Sequence, residues 1–179
     1  MRINAAVIRA KRLELRPVRL SDAAPFFDHA RIPEVAENAG FLPSSISETK
    51  AYLRKSVSEW KKGQPERRTY SILLKNQKAW IGSIELRWLQ PGVGEIGFFI
   101  HPTYWGRGFA TEAAKSVVKW AFTKGGAHRL QGSCWTKNKA SIRVMEKMRF
   151  RREGILRGYA KVGKRLQNDI LFGRTYLDK

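Results

Sequence analysis

The sequence has little cysteine, little acidic charge and no long apolar run. Its 179 residues include one cysteine, Cys134, and three histidines. A single cysteine excludes a disulfide framework, and one cysteine with three histidines cannot readily build a structural zinc site. No apolar run approaches the roughly 20 residues of a membrane span, and residues 1–12 lack the apolar core and cleavage-like site of a signal peptide. These absences predict a cytoplasmic protein with no metal centre and no membrane anchor.

Acidic residues are also few in relation to basic ones. There are 15 Asp and Glu against 35 Lys and Arg, a formal net charge of +20. Eleven of the basic residues fall between Lys137 and Arg165, where only Glu146 and Glu153 are acidic. A field of this size attracts anions and raises their local concentration. A solvated basic face and an anionic partner both stay open, and charge alone does not choose among nucleic acid, a nucleotide cofactor and an acidic protein.

Apolar and aromatic residues are sufficient for one packed domain. They make up 42% and 11% of the chain, and their interleaving with the charges excludes disorder. No repeat and no linker divides the chain, so we predict a single domain over residues 1–179, with residues 1–10 as a candidate flexible tail. Hydrophobic periodicity predicts the order β-α-α-β-β-β-α-β-α-β-β. The predicted strands are 12–18, 69–74, 79–89, 95–100, 130–136, 150–156 and 168–175. Helices follow the candidate N-caps at Ser21-Asp22, Ser45 and Asn138, and a long helix is predicted from about Gly108 to Lys124.

A strand, a glycine-containing loop and a helix follow one another from Glu95 to Ala113. The strand ends at Ile100, and Gly106 and Gly108 lie directly before the helix. Helix N-termini present unpaired N–H groups and partial positive charge, and glycines let the backbone approach a phosphate closely. The spacing is neither that of a Walker loop nor that of the dinucleotide fingerprint. By itself the segment is therefore either a tight structural turn or a cradle for a pyrophosphate.

Three segments carry a more specific pattern in combination. They are the loop and helix start from Trp105 to Ala113, the helix from Asn138 to Phe150, and the C-terminal hairpin with Arg152-Glu153-Gly154-Ile155-Leu156-Arg157, Gly163 and Asp169. Together they resemble the GNAT acetyltransferase superfamily, and within it the RimJ/RimL-type N-acetyltransferases. The resemblance runs from Arg12 to Ile170, about nine-tenths of the chain. It implies one α+β domain, with a mixed and mostly antiparallel sheet, a splayed central strand pair and helices on both faces.

The resemblance also implies acetyl-CoA as the acetyl donor, and no metal. The family's pyrophosphate loop falls on Trp105-Gly106-Arg107-Gly108-Phe109-Ala110, where the tryptophan cannot bind phosphate ionically and backbone amides must make the contact. Arg107 either faces the phosphates or is solvated. The implied cofactor-binding residues are Phe98, Phe99, Ile100, Trp105, Gly106, Arg107, Gly108, Phe109, Ala110, Thr111, Asn138 and Ser141.

The implied catalytic residues are Glu95, Ser141 and Cys134. Glu95 would deprotonate the amine through water, or is an exposed residue at a strand start. Backbone N–H groups of the strand 95–100 would polarise the thioester carbonyl, with Phe98, Phe99 and Ile100 as the candidate donors. Where many family members have a tyrosine acid this chain has Met145, so Ser141 is the candidate that stabilises the thiolate, or a serine that satisfies the helix end. Cys134 is a base or proton relay, or an inert core thiol.

The sequence also departs from the family after the helix that Asn138 begins. The family has glycine at the position of Arg149, which suits a left-handed helix end. An arginine there either costs about 1 kcal/mol or marks a different helix ending.

The acceptor implied by the resemblance is a primary amine. A net charge of +20 repels polycations unless a local acidic pocket overrides it. We therefore predict a protein N-terminus, such as that of a ribosomal protein near RNA, with a small anionic amine as the alternative. The candidate walls of the acceptor groove are Phe26, Phe27, Phe41, Leu42, Trp88 and Tyr159. A nucleic-acid-binding domain and an acyl-CoA-binding protein, both without catalysis, are the rival functions, and exposed strands of the C-terminal hairpin are compatible with a homodimer.

Overall fold

One mixed sheet runs through the described part of the chain, residues 7–35, 45–62, 65–162 and 164–178 of the computed structural model. Its strands are β1 (Ile8–Arg9), β2 (Leu13–Pro17), β3 (Arg67–Leu74), β4 (Trp80–Gln90), β5 (Val93–Ile100), β6 (Arg129–Trp135), β7 (Arg151–Val162) and β8 (Arg165–Thr175). Their order is β1-β2-β3-β4-β5-β6-β8-β7. All neighbouring pairs are antiparallel except β5 and β6, which are parallel. This confirms the predicted mixed, mostly antiparallel sheet.

The first strand lies within the residues predicted to form a flexible tail. Ile8 pairs with Leu15, and Arg9 pairs with Glu14, both in β2. A two-residue strand is too short to show a hydrophobic period, so only its partner reveals it. Residues 8 and 9 therefore belong to the sheet, which corrects the predicted tail over residues 1–10. Residues 1–6 lie outside the described residues.

Two of the predicted N-caps hold a side-chain hydrogen bond to the first turn of their helix. The helices that the structure describes are α1 (Ala23–Ala30), α2 (Ile46–Glu59), α3 (Phe109–Thr123) and α4 (Lys139–Lys147). Ser45 Oγ accepts a hydrogen bond from Glu48 N at 3.2 Å, and Asn138 Oδ1 accepts one from Ser141 N at 3.0 Å. Within the described ranges no helix has both the length and the apolar character to cross a membrane.

The helices cover both faces of the sheet, as predicted. Helix α3 buries its apolar side, including Val117, in a cluster that also contains Ile100 of β5. Helices α1 and α2 contribute Phe26 and Leu53 to a second cluster, against which Phe99 packs. Since successive side chains of a strand point to opposite faces, Phe99 and Ile100 mark the two sides of the sheet.

The parallel strands β5 and β6 separate part-way along their length. Their pairing ends where Glu95 lies opposite Gln131, whereas β5 continues to Ile100 and β6 to Trp135. This confirms the predicted splayed pair. The gap leaves one edge of β5 without a neighbouring strand, next to the N-terminal ends of α3 and α4.

Helix α4 ends on a residue in the left-handed conformation. Arg149 has a φ of 62°. Its N–H donates to Glu146 O at 2.9 Å, and Phe150 N donates to Met145 O at 3.1 Å. The helix therefore ends with the geometry that favours glycine, although this chain has arginine there.

Replacing Arg149 with glycine is expected to raise the free energy of unfolding by about 1 kcal/mol, because glycine has no Cβ to strain at positive φ. Urea unfolding measures this as a higher midpoint at an unchanged slope. Lys147→Gly, inside the last turn of α4, is the matched control and is expected to lower stability by about 1 kcal/mol. Equal losses in the two variants would contradict the strain at Arg149.

Candidate active site

The loop after β5 reaches helix α3 through two glycines with positive φ. Gly106 has a φ of 74° and Gly108 a φ of 76°. A Cβ added at Gly106 would meet nothing within 4 Å, and one at Gly108 would lie 3.7 Å from Arg12 Nη2. Backbone conformation, rather than crowding, therefore requires glycine at both positions. Gly108 is the N-cap of α3 and provides no side-chain cap, so N–H groups of the first helical turn are free to bind an anion.

A first cavity, of about 450 Å³, opens in front of this loop. Eleven of the twelve predicted cofactor-binding residues line it: Phe98, Phe99, Ile100, Trp105, Gly106, Gly108, Phe109, Ala110, Thr111, Asn138 and Ser141. Helix α4 adds Arg143 and Lys147, two cations that the sequence analysis did not single out. Their spacing of four residues puts them on one helix face, a pattern that could have identified them. Cofactor binding by these residues stays a prediction.

The remaining predicted residue, Arg107, is not among the described residues that line this cavity. It is exposed, and its guanidinium lies 5.8 Å from the centre of the Tyr104 ring. Trp105 borders the cavity with its indole half exposed, and Trp105 Nε1 donates to Ile100 O at 2.5 Å. That hydrogen bond ties the loop back to the end of β5.

The free edge of β5 presents two backbone N–H groups to the gap. His101 N donates to Ile81 O of the neighbouring strand β4 at 2.8 Å. Because antiparallel hydrogen bonding alternates along a strand, the N–H of Phe99 also faces β4, and those of Phe98 and Ile100 face away from it. Of the three amides predicted to polarise the carbonyl, those of Phe98 and Ile100 are oriented for that role. The amide of Phe99 is not, because it faces β4, and this corrects the prediction.

A second cavity, of about 510 Å³, meets the first at the splay. The residues common to both linings are His29, Val35, Phe98, Phe99, Asn138 and Ser141. Glu85 and Asp169 bring two carboxyl groups to the second cavity, and its described lining contains no lysine or arginine. The surplus positive charge of the chain therefore lies outside this cavity.

Two of the six predicted wall residues, Phe26 and Tyr159, line the second cavity. Phe27 and Trp88 are not among the described lining residues: Phe27 lies under the Arg31 guanidinium, and Trp88 packs against the main core cluster. Phe41 and Leu42 lie outside the described residues. The sequence marked these aromatic residues as apolar, but the face that each one occupies depends on packing.

Glu85 is held in the wall of the second cavity by three neighbours, one on helix α2 and two on strand β3. Tyr52 OH donates to Glu85 Oε2 at 2.9 Å, and Thr69 Oγ1 donates to the same oxygen at 3.1 Å. Arg67 Nε lies 3.3 Å from Glu85 Oε1. Gly97 is opposite Glu85 in the register, and a Cβ added to Gly97 would meet nothing within 4 Å. The space beside the carboxylate is therefore open to a ligand.

Glu95, the predicted base, has a different environment. Its carboxylate pairs with Arg87 on β4 and raises the pKa of that guanidinium. Glu95 lies two residues before Gly97 on β5, and it is not among the described residues that line either cavity. The geometry thus gives no support to Glu95 as the base, and Glu85 is the carboxylate that the sequence analysis missed. Only the β4–β5 register distinguishes the two.

Cys134 lines the second cavity as a buried thiol. Burial, with a smaller contribution from the charge of Asp169, raises the pKa of Cys134 to about 12. A thiol with this pKa is protonated at neutral pH, so it does not serve there as a base. Burial also raises the pKa of Asp169, whose Oδ2 accepts a hydrogen bond from Ser133 Oγ at 2.9 Å.

Ser141 lies where the two cavities meet, at the start of α4. Its backbone N–H is satisfied by the Asn138 side chain. Among the described residues its hydroxyl has no hydrogen-bond partner, so the hydroxyl remains available to a ligand. Met145, one turn further along α4, lines the second cavity and brings no ionisable group to it.

Comparisons with known proteins agree with this architecture. The sequence matches the acetyltransferase (GNAT) domain family over residues 12–151. A curated relative, the uncharacterized N-acetyltransferase p20 of Bacillus licheniformis, is 28% identical over 165 residues, covering 90% of this chain and 92% of the relative.

Two solved structures share the fold at lower sequence identity. The ribosomal-protein-S5-alanine acetyltransferase from Vibrio fischeri superposes with a TM-score of 0.84 at 20% identity, covering 97% of this chain and 98% of that one. The spermidine N-acetyltransferase from Vibrio cholerae, in complex with CoA and spermine, gives a TM-score of 0.82 at 19% identity, covering 93% and 97%. The chain belongs to the GNAT acetyltransferase family, as the motifs around Trp105 and Asn138 predicted.

Proposed function

We propose that this acetyltransferase moves the acetyl group of acetyl-CoA to the α-amine at the N-terminus of a protein. The observation that carries the proposal is the meeting of two unlike cavities at the splay of β5 and β6. One has a glycine loop, a free helix N-terminus and two cations, a donor set that fits a pyrophosphate. The other has two carboxyl groups and no lysine or arginine among its described lining residues, although Arg67 pairs with Glu85 from outside the lining. Carboxylates in a cavity fit an ammonium group.

Each residue at the junction has a chemical role in this proposal. The N–H groups of Phe98 and Ile100 polarise the thioester carbonyl. Glu85 attracts the ammonium group and takes its proton, directly or through one water, because an amine attacks only as the neutral form. The Ser141 hydroxyl hydrogen-bonds the leaving thiolate. Bound acetyl-CoA supplies the activated acetyl group.

The choice of a protein acceptor rests on charge outside the cavities and on similarity. A protein bound to RNA, or an acidic protein, is attracted by the net charge of +20, whereas a free polycation is repelled at long range. The similarity to the S5-alanine acetyltransferase supports an N-terminal amine. A polyamine is the second candidate, favoured by the two carboxyl groups and by the similarity to the spermidine acetyltransferase. A small anionic amine is not favoured, because the described residues that line the second cavity include no lysine or arginine.

The acceptor is tested by the release of free CoA thiol with a panel of amines. We expect peptides that begin with alanine or serine to be acetylated, with a larger kcat/KM than spermidine or an amino sugar nucleotide. Mass spectrometry of the peptide locates the acetyl group on the α-amine. Faster turnover of spermidine would replace the protein acceptor by a polyamine, and no turnover with any amine would contradict catalysis.

Gly108→Ala is expected to weaken CoA binding about tenfold, the equivalent of about 1.4 kcal/mol. A Cβ at positive φ strains the N-cap by about 1–2 kcal/mol and displaces the N–H groups that face the first cavity. Isothermal titration with CoA measures the affinity. Gly126→Ala is the matched control, because Gly126 has a φ of 78° with open space around it but lies after α3. It is expected to lose similar stability and to bind CoA normally, so equal affinities in the two variants would contradict the assignment.

A further inference from the structure

The imidazole of His29 is buried at the junction of the two cavities without a hydrogen-bond partner. His29 lies in the last turn of α1 and is 1% exposed. Neither of its ring nitrogens has a partner among the described residues. A buried polar atom that lacks a partner is costly and rare, and such exceptions are often found at functional sites.

Aromatic packing holds this ring in one orientation. Its face stacks on Phe99 with ring centres 4.3 Å apart and an angle of 13° between the planes. Trp80 meets it edge-on, with ring centres 6.0 Å apart. Phe99 lies on β5 between Phe98 and Ile100, whose N–H groups face the gap. The fold therefore places a rigid, unsatisfied imidazole beside the strand that borders the reaction centre.

The charge state of the ring suits a hydrogen-bond acceptor. Burial, together with the nearby charge of His101, lowers the pKa of His29 to about 4. The ring of His101 also faces that of His29, with ring centres 5.8 Å apart. At neutral pH the imidazole is uncharged, with one nitrogen that donates and one that accepts. A neutral amine can donate to the accepting nitrogen and still keep its own lone pair for attack.

We infer that His29 binds the acceptor amine at the junction of the two cavities, by accepting a hydrogen bond from the amine N–H and so orienting its lone pair toward the acetyl group. This inference rests on the proposed function. It adds to Glu85, which takes a proton, a second contact that orients the nucleophile. The bound amine satisfies a nitrogen that the free protein leaves without a partner.

His29→Phe tests the inference, because phenylalanine keeps the stacking on Phe99 and removes both ring nitrogens. The free variant is expected to melt at a higher temperature than the wild type, since two buried unsatisfied atoms are gone. Its kcat/KM for an alanine-initiated peptide is expected to fall about tenfold, with the KM for acetyl-CoA unchanged. His29→Gln, which retains a donor and an acceptor, is expected to recover part of that activity. His128→Phe, at an exposed position, is expected to change neither quantity.

The possible outcomes separate this inference from the proposed function. A lower melting temperature in His29→Phe, with no change in the KM for the peptide, would assign the residue a packing role and overturn the inference. A raised KM for acetyl-CoA alone would move the contact to the donor side and overturn it as well. Wild-type turnover with unchanged His29→Phe kinetics would overturn the inference and leave the proposed function standing. Absence of turnover in the wild type would instead overturn the proposed function itself.

Discussion

Glu85→Gln is expected to lower kcat/KM for the acceptor amine by about 100-fold or more, within the range for loss of a general base. Glutamine keeps the size of the side chain and can still accept from Tyr52 OH and Thr69 Oγ1, so the wall of the cavity is retained. In the proposed function, what is lost is the charge that attracts the ammonium group and the site that takes its proton. Steady-state kinetics by CoA thiol release measure the effect on the acceptor side. CoA affinity, measured in parallel, shows whether the first cavity is unaffected.

Glu95→Gln is the matched control for Glu85. It is the same chemical change two residues from Gly97 on the neighbouring strand, where the carboxylate pairs with Arg87. We expect CoA thiol release by this variant to stay close to that of the wild type. If Glu95→Gln abolished activity and Glu85→Gln did not, Glu95 would be restored as the base.

Gly97→Ala tests the same site by filling it. The added methyl group meets no protein atom within 4 Å, so stability is expected to change by less than about 1 kcal/mol. The methyl occupies the open space beside Glu85, and the KM for the acceptor is expected to rise. Unchanged kinetics with a peptide and with spermidine would show that the amine does not approach Glu85 from this side.

Asp22→Ala is expected to lower the free energy of unfolding by about 3–5 kcal/mol, the cost of leaving one member of a buried ion pair without its partner. The sequence predicted Asp22 as part of an N-cap of α1, but the structure gives it a larger role. It receives two hydrogen bonds from Arg16, at 2.8 and 2.6 Å, and one from Ser71 Oγ at 2.7 Å. Arg19 N adds a fourth at 2.8 Å. Removal of the carboxylate leaves these buried donors unsatisfied.

The pH dependence of stability provides a second readout for Asp22. Burial opposes ionisation, but the hydrogen bonds from Arg16, Ser71 and Arg19 N outweigh it and lower the pKa of Asp22 below 3.8. The folded state then binds fewer protons than the unfolded state near that pH, so the stability from Asp22 is present above pH 3.8 and lost as the pH falls further. Urea unfolding of the wild type is expected to show this loss, and that of Asp22→Ala to show less of it.

Asp28→Ala is the control for Asp22, since Asp28 is exposed and lies 4.0 Å from Arg31. Surface pairs of this kind contribute about 0–1 kcal/mol. A loss for Asp22→Ala no larger than that for Asp28→Ala would contradict the role of the buried pair.

Local features of this protein follow from short stretches of sequence. The caps at Ser45 and Asn138, the glycines at 106 and 108 and the helix after them depend on backbone geometry within a few residues. Such features can be read without knowledge of the partner strands, and the same motifs carried the family resemblance. Eleven of the twelve predicted cofactor-binding residues line the first cavity, and their role in binding stays a prediction.

The walls of the site depend on contacts between distant segments. Glu85 and Glu95 have the same chemistry and lie on the same face of the sheet, and only the pairing of β4 with β5 decides which one borders the cavity. His29 lies on a short helix far from Phe99 in sequence, and the environment of its ring comes from strands β4 and β5.

The net charge of +20 also shows what composition determines and what tertiary structure determines. Composition by itself determined a basic protein that attracts anions at long range, because such a field depends on summed charge. Composition could not show that Glu85 and Asp169 line the second cavity and that its described lining residues include no lysine or arginine. The charge at a binding site depends on which side chains line it. Here the sheet register and the splay of β5 and β6 determine those side chains, so only the tertiary structure decided the charge of the cavity.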